Sequence, residues 1–183
     1  MGRHFAQIAF TPAVQAEQAA LGSRDHYAKV EERGRDDSQL STQEAAFIQA
    51  RDSFTMATVS ETGWPYLQHR GGPPGFVRVL DARTIGFADF SGNRQHISVG
   101  NLAMDDRVSL FFLDQANRRR LKLLGHARVV RDDPALLARL TPAGAEDIAE
   151  SAVLIEVAGF DWNCPQHITP RFTAEEWAAL RPG

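Results

Sequence analysis

The sequence has one cysteine, Cys164, in 183 residues. No disulfide can form within the chain, which excludes a stapled secreted scaffold and fits a reducing compartment. No apolar run approaches the ~20 residues that cross a bilayer. The opening stretch MGRHFAQIAFTPAVQAEQ has no continuous apolar segment of the signal-peptide kind. Ala6 breaks the myristoylation pattern that Gly2 would begin. Charge of one sign is scarce too: the formal net charge is −3 and the pI about 6.1. A general nucleic-acid binder is therefore disfavoured. Nor is there a GxSxG, HExxH, CxxC or Walker loop, so the common hydrolase, zinc-protease, dithiol and nucleotide-triphosphate signatures are missing. The six histidines at 4, 26, 69, 96, 126 and 167 make no i, i+4 pair, and Cys164 with His167 gives at most half of a metal site. The expectation is a soluble cytoplasmic protein with no resident metal.

What is present is a run of short β-rich segments with turn signals between them. Residues 1–40 are polar and read as a helical or loop extension. TPAVQAEQAALGS predicts a short helix with Thr11 as cap and Pro12 at its first position, and KVEERGRDDSQ predicts a surface loop. Residues 41–183 read as one domain. Ser41 with Glu44 is a capping box opening the helix TQEAAFIQARD. SFTMATVSE, TGWP and YLQHR predict a hairpin, interrupted by GGPPG at 71–75. FVRVLD and TIGFADF are the next two strands, ISVGNLAMD a short helix, and RVSLFFLD a strand buried on both faces or nearly so. RRRLKLLGHARVVR is a long strand crossing a glycine, PALLARL a helix, SAVLIEVAGFDW the last strand, and TAEEWAALR a helix capped by Thr173. The tally is five to seven strands joined mostly by hairpins. That predicts a mainly β, antiparallel barrel with peripheral helices.

Cations and amides gather at strand ends: Gln68, His69 and Arg70; then Gly92 to Gln95; then NRRRLK at 117–122. Alternation along a strand puts Arg118, Arg120 and Lys122 on one face and Arg119 on the other. Each cluster alone reads as a solvated rim. Three of them beside glycine turns, one at a helix start with free backbone N–H groups, read as an anion site, where a phosphate would sit. The proline-bounded loop FDWNCPQHITPRF either covers the core with Trp162 or offers an aromatic surface and amides to a planar ring.

The stretches FIQARDSFTMATVSETGWPYLQHRGGPPGFVRVLD, TIGFADFSGNRQHISVGNLAMDDRVSLFFLD and RRRLKLLGHARVV resemble the pyridoxamine 5′-phosphate oxidase-like family over roughly residues 40–172. The closer likeness is to a bacterial group of FMN-binding proteins related to that oxidase. The resemblance implies a split β-barrel that dimerises, with FMN at the interface touched by both subunits. It places Gln68, His69, Arg70 and Arg78 on the phosphate-binding strands. Asp89 lies at the end of the following strand, and Asn93, Arg94 and Gln95 at the helix mouth. Arg120 and Lys122 fall near the ring, and the loop with Trp162, Gln166 and His167 matches a segment that reaches the partner subunit's flavin. The chain departs from the oxidases at GGPPGF, which shifts the register between Arg70 and Arg78, and in ending FTAEEWAALRPG where they carry the segment that grips pyridoxal phosphate, which tells against vitamin B6 oxidation. The implied activity is an oxidoreductase moving a hydride or electrons between FMN and a small substrate, with a nicotinamide donor. The alternative is a non-catalytic flavin or haem binder on the same barrel, with His69, His96 or His167 as candidate axial ligands. Binding of nucleic acid through RRRLK is the least supported reading.

Overall fold

The structure, a computed structural model, describes residues 1–162 and 164–180. Its frame grows from the hairpin of β1 (Ser53–Val59) and β2 (Pro65–Gly71), in register from Ser53 opposite Gly71 to Val59 opposite Pro65. The turn between them closes because Gly63 adopts φ +86°, while Trp64 N–H donates to Ser60 Oγ at 3.0 Å. Five more strands follow: β3 (Arg78–Val79), β4 (Thr84–Phe90), β5 (Arg107–Asp114), β6 (Arg119–Val130) and β7 (Ala149–Trp162). They form one antiparallel sheet in the order β2-β1-β5-β6-β7-β4-β3.

The inward residues of this sheet make the core. Phe54, Met56, Leu110, Phe112, Leu121, Leu123, Ile85, Phe87, Ile155 and Phe160 are all buried. Phe54 packs edge-on against Phe87 at 5.3 Å and tilted against Phe112 at 5.1 Å. Rings from β1, β4 and β5 thus meet although β1 and β4 lie four places apart, so the sheet is strongly curled. Its backbone ladder does not close: β2 and β3 each keep one unpaired edge among the described residues. Side chains span the gap instead, with the Arg70 guanidinium of β2 donating to the Asp89 carboxylate of β4. A smaller apolar layer of Ala88, Leu140, Ala152 and Leu154 packs outside β4 and β7 beneath α6 (Pro134–Leu140), which Asp133 caps at Leu136 N–H.

Several sequence expectations hold. Ser41 and Glu44 form the capping box of α4 (Thr42–Gln49), and Thr173 and Glu176 that of the C-terminal helix Ala174–Ala179. The ISVGNLAMD helix is α5 (Ile97–Met104). Other expectations are corrected. FVRVLD contributes only two strand residues, because a turn donated by Phe76 N–H to the Pro73 carbonyl turns Phe76 and Val77 into the core instead. RVSLFFLD alternates: Val108, Leu110 and Phe112 are buried, while Arg107 and Ser109 face solvent. Arg118 stands in the turn before β6 with φ +51°, so the three cations expected on one strand face are not aligned. KVEER is not a loop but the end of the helix Arg24–Arg33, which stops at Gly34.

The extension 1–40 forms three helices, α1 (Arg3–Ala9), α2 (Pro12–Ala20) and α3 (Arg24–Arg33). Asp37, fully buried, caps α1 from a distance: its two oxygens accept the His4 and Phe5 N–H groups at 2.7 and 2.9 Å. The helix lies on β7, where Gly159 permits contact closer than any side chain would. A Cβ there would stand 2.7 Å from the Phe5 nitrogen. Gly159→Ala should therefore cost about 1–3 kcal/mol through overpacking. A lowered melting temperature, with faster proteolysis of residues 1–35, checks this; an unchanged melt would show that α1 is not seated as described.

Candidate functional site

The gap between β2 and β4 is closed at one end by α5, and this creates a small polar cleft. Two side chains one helical turn apart fix α5 against the sheet. Ser98 Oγ donates to Gln68 Oε1 at 2.7 Å, and the buried Asn101 amide donates to Thr58 Oγ1 at 2.9 Å. The helix therefore presents its start to β2. His96 in the cap position makes no side-chain capping bond, so the first-turn N–H groups keep their positive end toward the cleft. Arg94 and His96 both hold left-handed backbone, at φ +59° and +52°. Each such residue costs on the order of 1–2 kcal/mol. That strain sits in the loop carrying the charges rather than at Gly92, which is not left-handed and has open space where its Cβ would be.

Six of the residues singled out from sequence converge here: Gln68, Arg70, Asp89, Asn93, Arg94 and Gln95 all line the cleft. Asn93 Oδ1 accepts the Gln95 N–H at 3.2 Å, which folds the loop back on itself. Arg70 is well enclosed, with its guanidinium 5.7 Å from the Phe87 ring centre. Its Nε is buried and has no hydrogen-bond partner among the described residues. Sequence reasoning missed Tyr66 and Ser98, which also line the cleft, and named His96, a further lining residue, only as a candidate haem ligand. Strand alternation from Gln68 could have found Tyr66, since Tyr66, Gln68 and Arg70 share one face of β2. The cavity is small, about 60 Å³, against the ~300–1,000 Å³ of a whole small-molecule pocket.

The structure places the other candidates elsewhere. His69 points to the opposite face of β2, opposite Thr55, and lines a second hollow of about 690 Å³ with Phe111, Leu113 and Phe172. Arg78 is exposed on β3. Arg120 lies opposite Leu113 on β6, away from the cleft lining. Lys122 is held by Asp161 at 3.0 Å and covers the Phe5 ring at 5.0 Å, so it fastens α1. Trp162 packs edge-on against Phe47 at 4.7 Å and donates from Nε1 to Glu44 at 2.6 Å. Of the two readings of the proline-bounded loop, covering the core describes Trp162. Gln166 and His167 are exposed, His167 with φ +62°, and Asn163 of the same loop lies outside the described residues.

Among the described residues, one cluster has metal-ligand spacing: His4, Asp36 and Asp37. Both Asp37 oxygens are already engaged in capping α1. No helix among the described residues is long and apolar enough to cross a membrane.

Solved structures with this fold include HupZ from Group A Streptococcus, at 16% identity, covering 73% of this chain and 100% of that one, with a TM-score of 0.56. An FMN-binding protein from Syntrophomonas wolfei aligns at 11% identity over 80% of this chain and 97% of that one, with a TM-score of 0.52. An F420 reductase aligns at 15% identity over 67% and 98%, with a TM-score of 0.50. At these identities the likeness shows the fold alone. No curated protein matches the sequence. Residues 40–178 match the family model of pyridoxamine 5′-phosphate oxidase. That span runs from just before α4 through all seven strands and takes in the whole α5 cleft; the chain belongs to the pyridoxamine 5′-phosphate oxidase family.

Proposed function

We propose that this protein binds FMN by its phosphate in the α5 cleft and acts as a flavin-dependent oxidoreductase on a small substrate. The observation that carries the reading is the convergence of two guanidinium groups, three side-chain amides and an uncapped helix start on one small concavity. Such donors are charge-assisted and suit a phosphomonoester. The residues fit that group: the buried Arg70 Nε lacks an acceptor, and the first turn of α5 has no capping side chain. A cavity of about 60 Å³ takes an oxyanion but not a tricyclic ring. The ring must lie beyond it, which supports a homodimer in which a second copy completes the site. Leu67 and Trp64 on the open β2 hairpin, 67% and 75% exposed, supply apolar surface for such a partner. The FMN-binding and F420-reductase names of two fold relatives agree with a flavin-type ligand.

When bound, the flavin supplies the hydride or electron transfer, and the protein supplies binding and orientation. Arg94 and the α5 N–H groups would hold the phosphate. Gln68, fixed by Ser98, would keep β2 in place beside it. Asp89 neutralises one of the two cations, so the cleft lining carries one net positive charge, histidine aside, rather than two. The test is the absorbance spectrum of the protein after loading with FMN and desalting, followed by anaerobic addition of a nicotinamide donor. Flavin bands that stay with the protein and bleach with the donor are expected. Bands that persist unreduced would point to a non-catalytic flavin holder, and the absence of any flavin uptake would refute the reading.

A further inference from the structure

Resting on the phosphate reading above, we infer that Asp89 is a built-in competitor for Arg70, so that the phosphate-bearing ligand is held exchangeably rather than permanently. Among the described residues lining the cleft, Asp89 is the only acid. It sits where the pairing of β4 with β7 breaks register: Asp89 faces Ser151 but Phe90 faces Ala149. An irregularity of this kind re-aims a side chain, and here the carboxylate is turned across the gap onto the Arg70 guanidinium. The Asp89 and Arg70 side chains are 12% and 16% exposed, so water screens the pair little.

An incoming phosphate meets two consequences of this pair. Arg70 already donates to a carboxylate, so one of the two guanidinium groups near the site is spent before the ligand arrives. The carboxylate also faces the incoming anion, and like charges brought together in a cleft oppose binding. Only Nη1 of Arg70 donates to Asp89, so the guanidinium keeps further N–H donors, among them an Nε that has no acceptor among the described residues. Ligand and Asp89 would thus draw on the same guanidinium. A carboxylate placed only to hold the two edges of the sheet together makes the opposite prediction, that its removal loosens the cleft and weakens binding.

The test is a fluorescence titration of FMN and of riboflavin, which has the same ring and no phosphate, into the wild-type protein and Asp89→Asn. Melting curves verify that both fold. The proposal expects FMN to bind Asp89→Asn at least about tenfold more tightly, with riboflavin unchanged. Equal or weaker FMN binding, or an equal shift for both ligands, overturns it. A second measurement needs no variant: isotopically labelled FMN is added to the FMN-loaded wild type, which is then desalted. Replacement of the bound flavin by the label is expected, and full retention of the original flavin overturns the proposal. If the wild type takes up no FMN at all, the phosphate reading falls and carries this one with it; if it does bind FMN, the Asp89→Asn comparison decides this proposal alone.

Discussion

Arg94→Ala should raise the FMN dissociation constant by about 10- to 100-fold, because a hydrogen bond to a charged group is worth roughly 1.5–3 kcal/mol. Arg94 is exposed, lies in the left-handed loop before α5, and has no hydrogen bond among those found in the loop. Its removal therefore leaves the fold intact while taking away the one guanidinium of the cleft that no carboxylate neutralises among the described residues. Riboflavin provides the control, since its binding should not respond. Affinity for FMN unchanged within twofold would remove Arg94 from the phosphate site. Arg94→Lys should recover only part of the loss, because an ammonium restores the charge but not the planar fork.

Glu44→Ala should destabilise the fold by about 3 kcal/mol, since it strands buried donors that it now satisfies; in a chain of this size that lowers the melting temperature by roughly 6–12 °C. The carboxylate is almost wholly buried and accepts three hydrogen bonds, with the Arg35 guanidinium 3.7 Å away. It accepts from Trp162 Nε1 at 2.6 Å, from Ser41 N–H at 3.0 Å and from the Ser41 hydroxyl. These contacts tie α4 to the end of β7. Burial pushes this carboxyl up, but the hydrogen bonds from Ser41 and Trp162 together outweigh it and hold it below its ordinary value of 4.5. The sign of the pH dependence follows. The unfolded chain takes up this proton first as acid is added, so the stabilisation is full above 4.5 and disappears as pH falls through the lower folded value. Wild type and Glu44→Gln should differ most near neutrality and converge in acid. A difference constant down to pH 3 or growing in acid would contradict this account.

Local chemistry that sequence carries within a few residues was legible. Two capping boxes, the β1–β2 hairpin and the helix after Asp133 all rest on short-range hydrogen bonding and turn preferences. The grouping of Gln68, Arg70 and Asn93–Gln95 was legible because strand ends and helix starts face one another in an antiparallel sheet that curls. His69 was drawn in by its place between Gln68 and Arg70 and by the family resemblance, yet the two-residue period of a strand sends it to the other face. Lys122 and Trp162 were drawn in by chemical type. Their partners, Asp161 with Phe5 and Glu44 with Phe47, are mostly far away in sequence, so nothing local shows that these groups are already occupied. α1 was missed for the same reason: its first-turn donors are capped by Asp37, more than thirty residues on.

The seating of α1 against Gly159 also separates two boundaries that are easily equated. Family likeness starts at residue 40, but the folded unit starts earlier. A chain trimmed to the shared region would bare the strip of β7 around Gly159 and leave Lys122 and the buried carboxylate of Asp161 facing water without the Phe5 cover. The first forty residues thus form an outer wall of this curled sheet, and trimming the chain to the shared region would remove that wall.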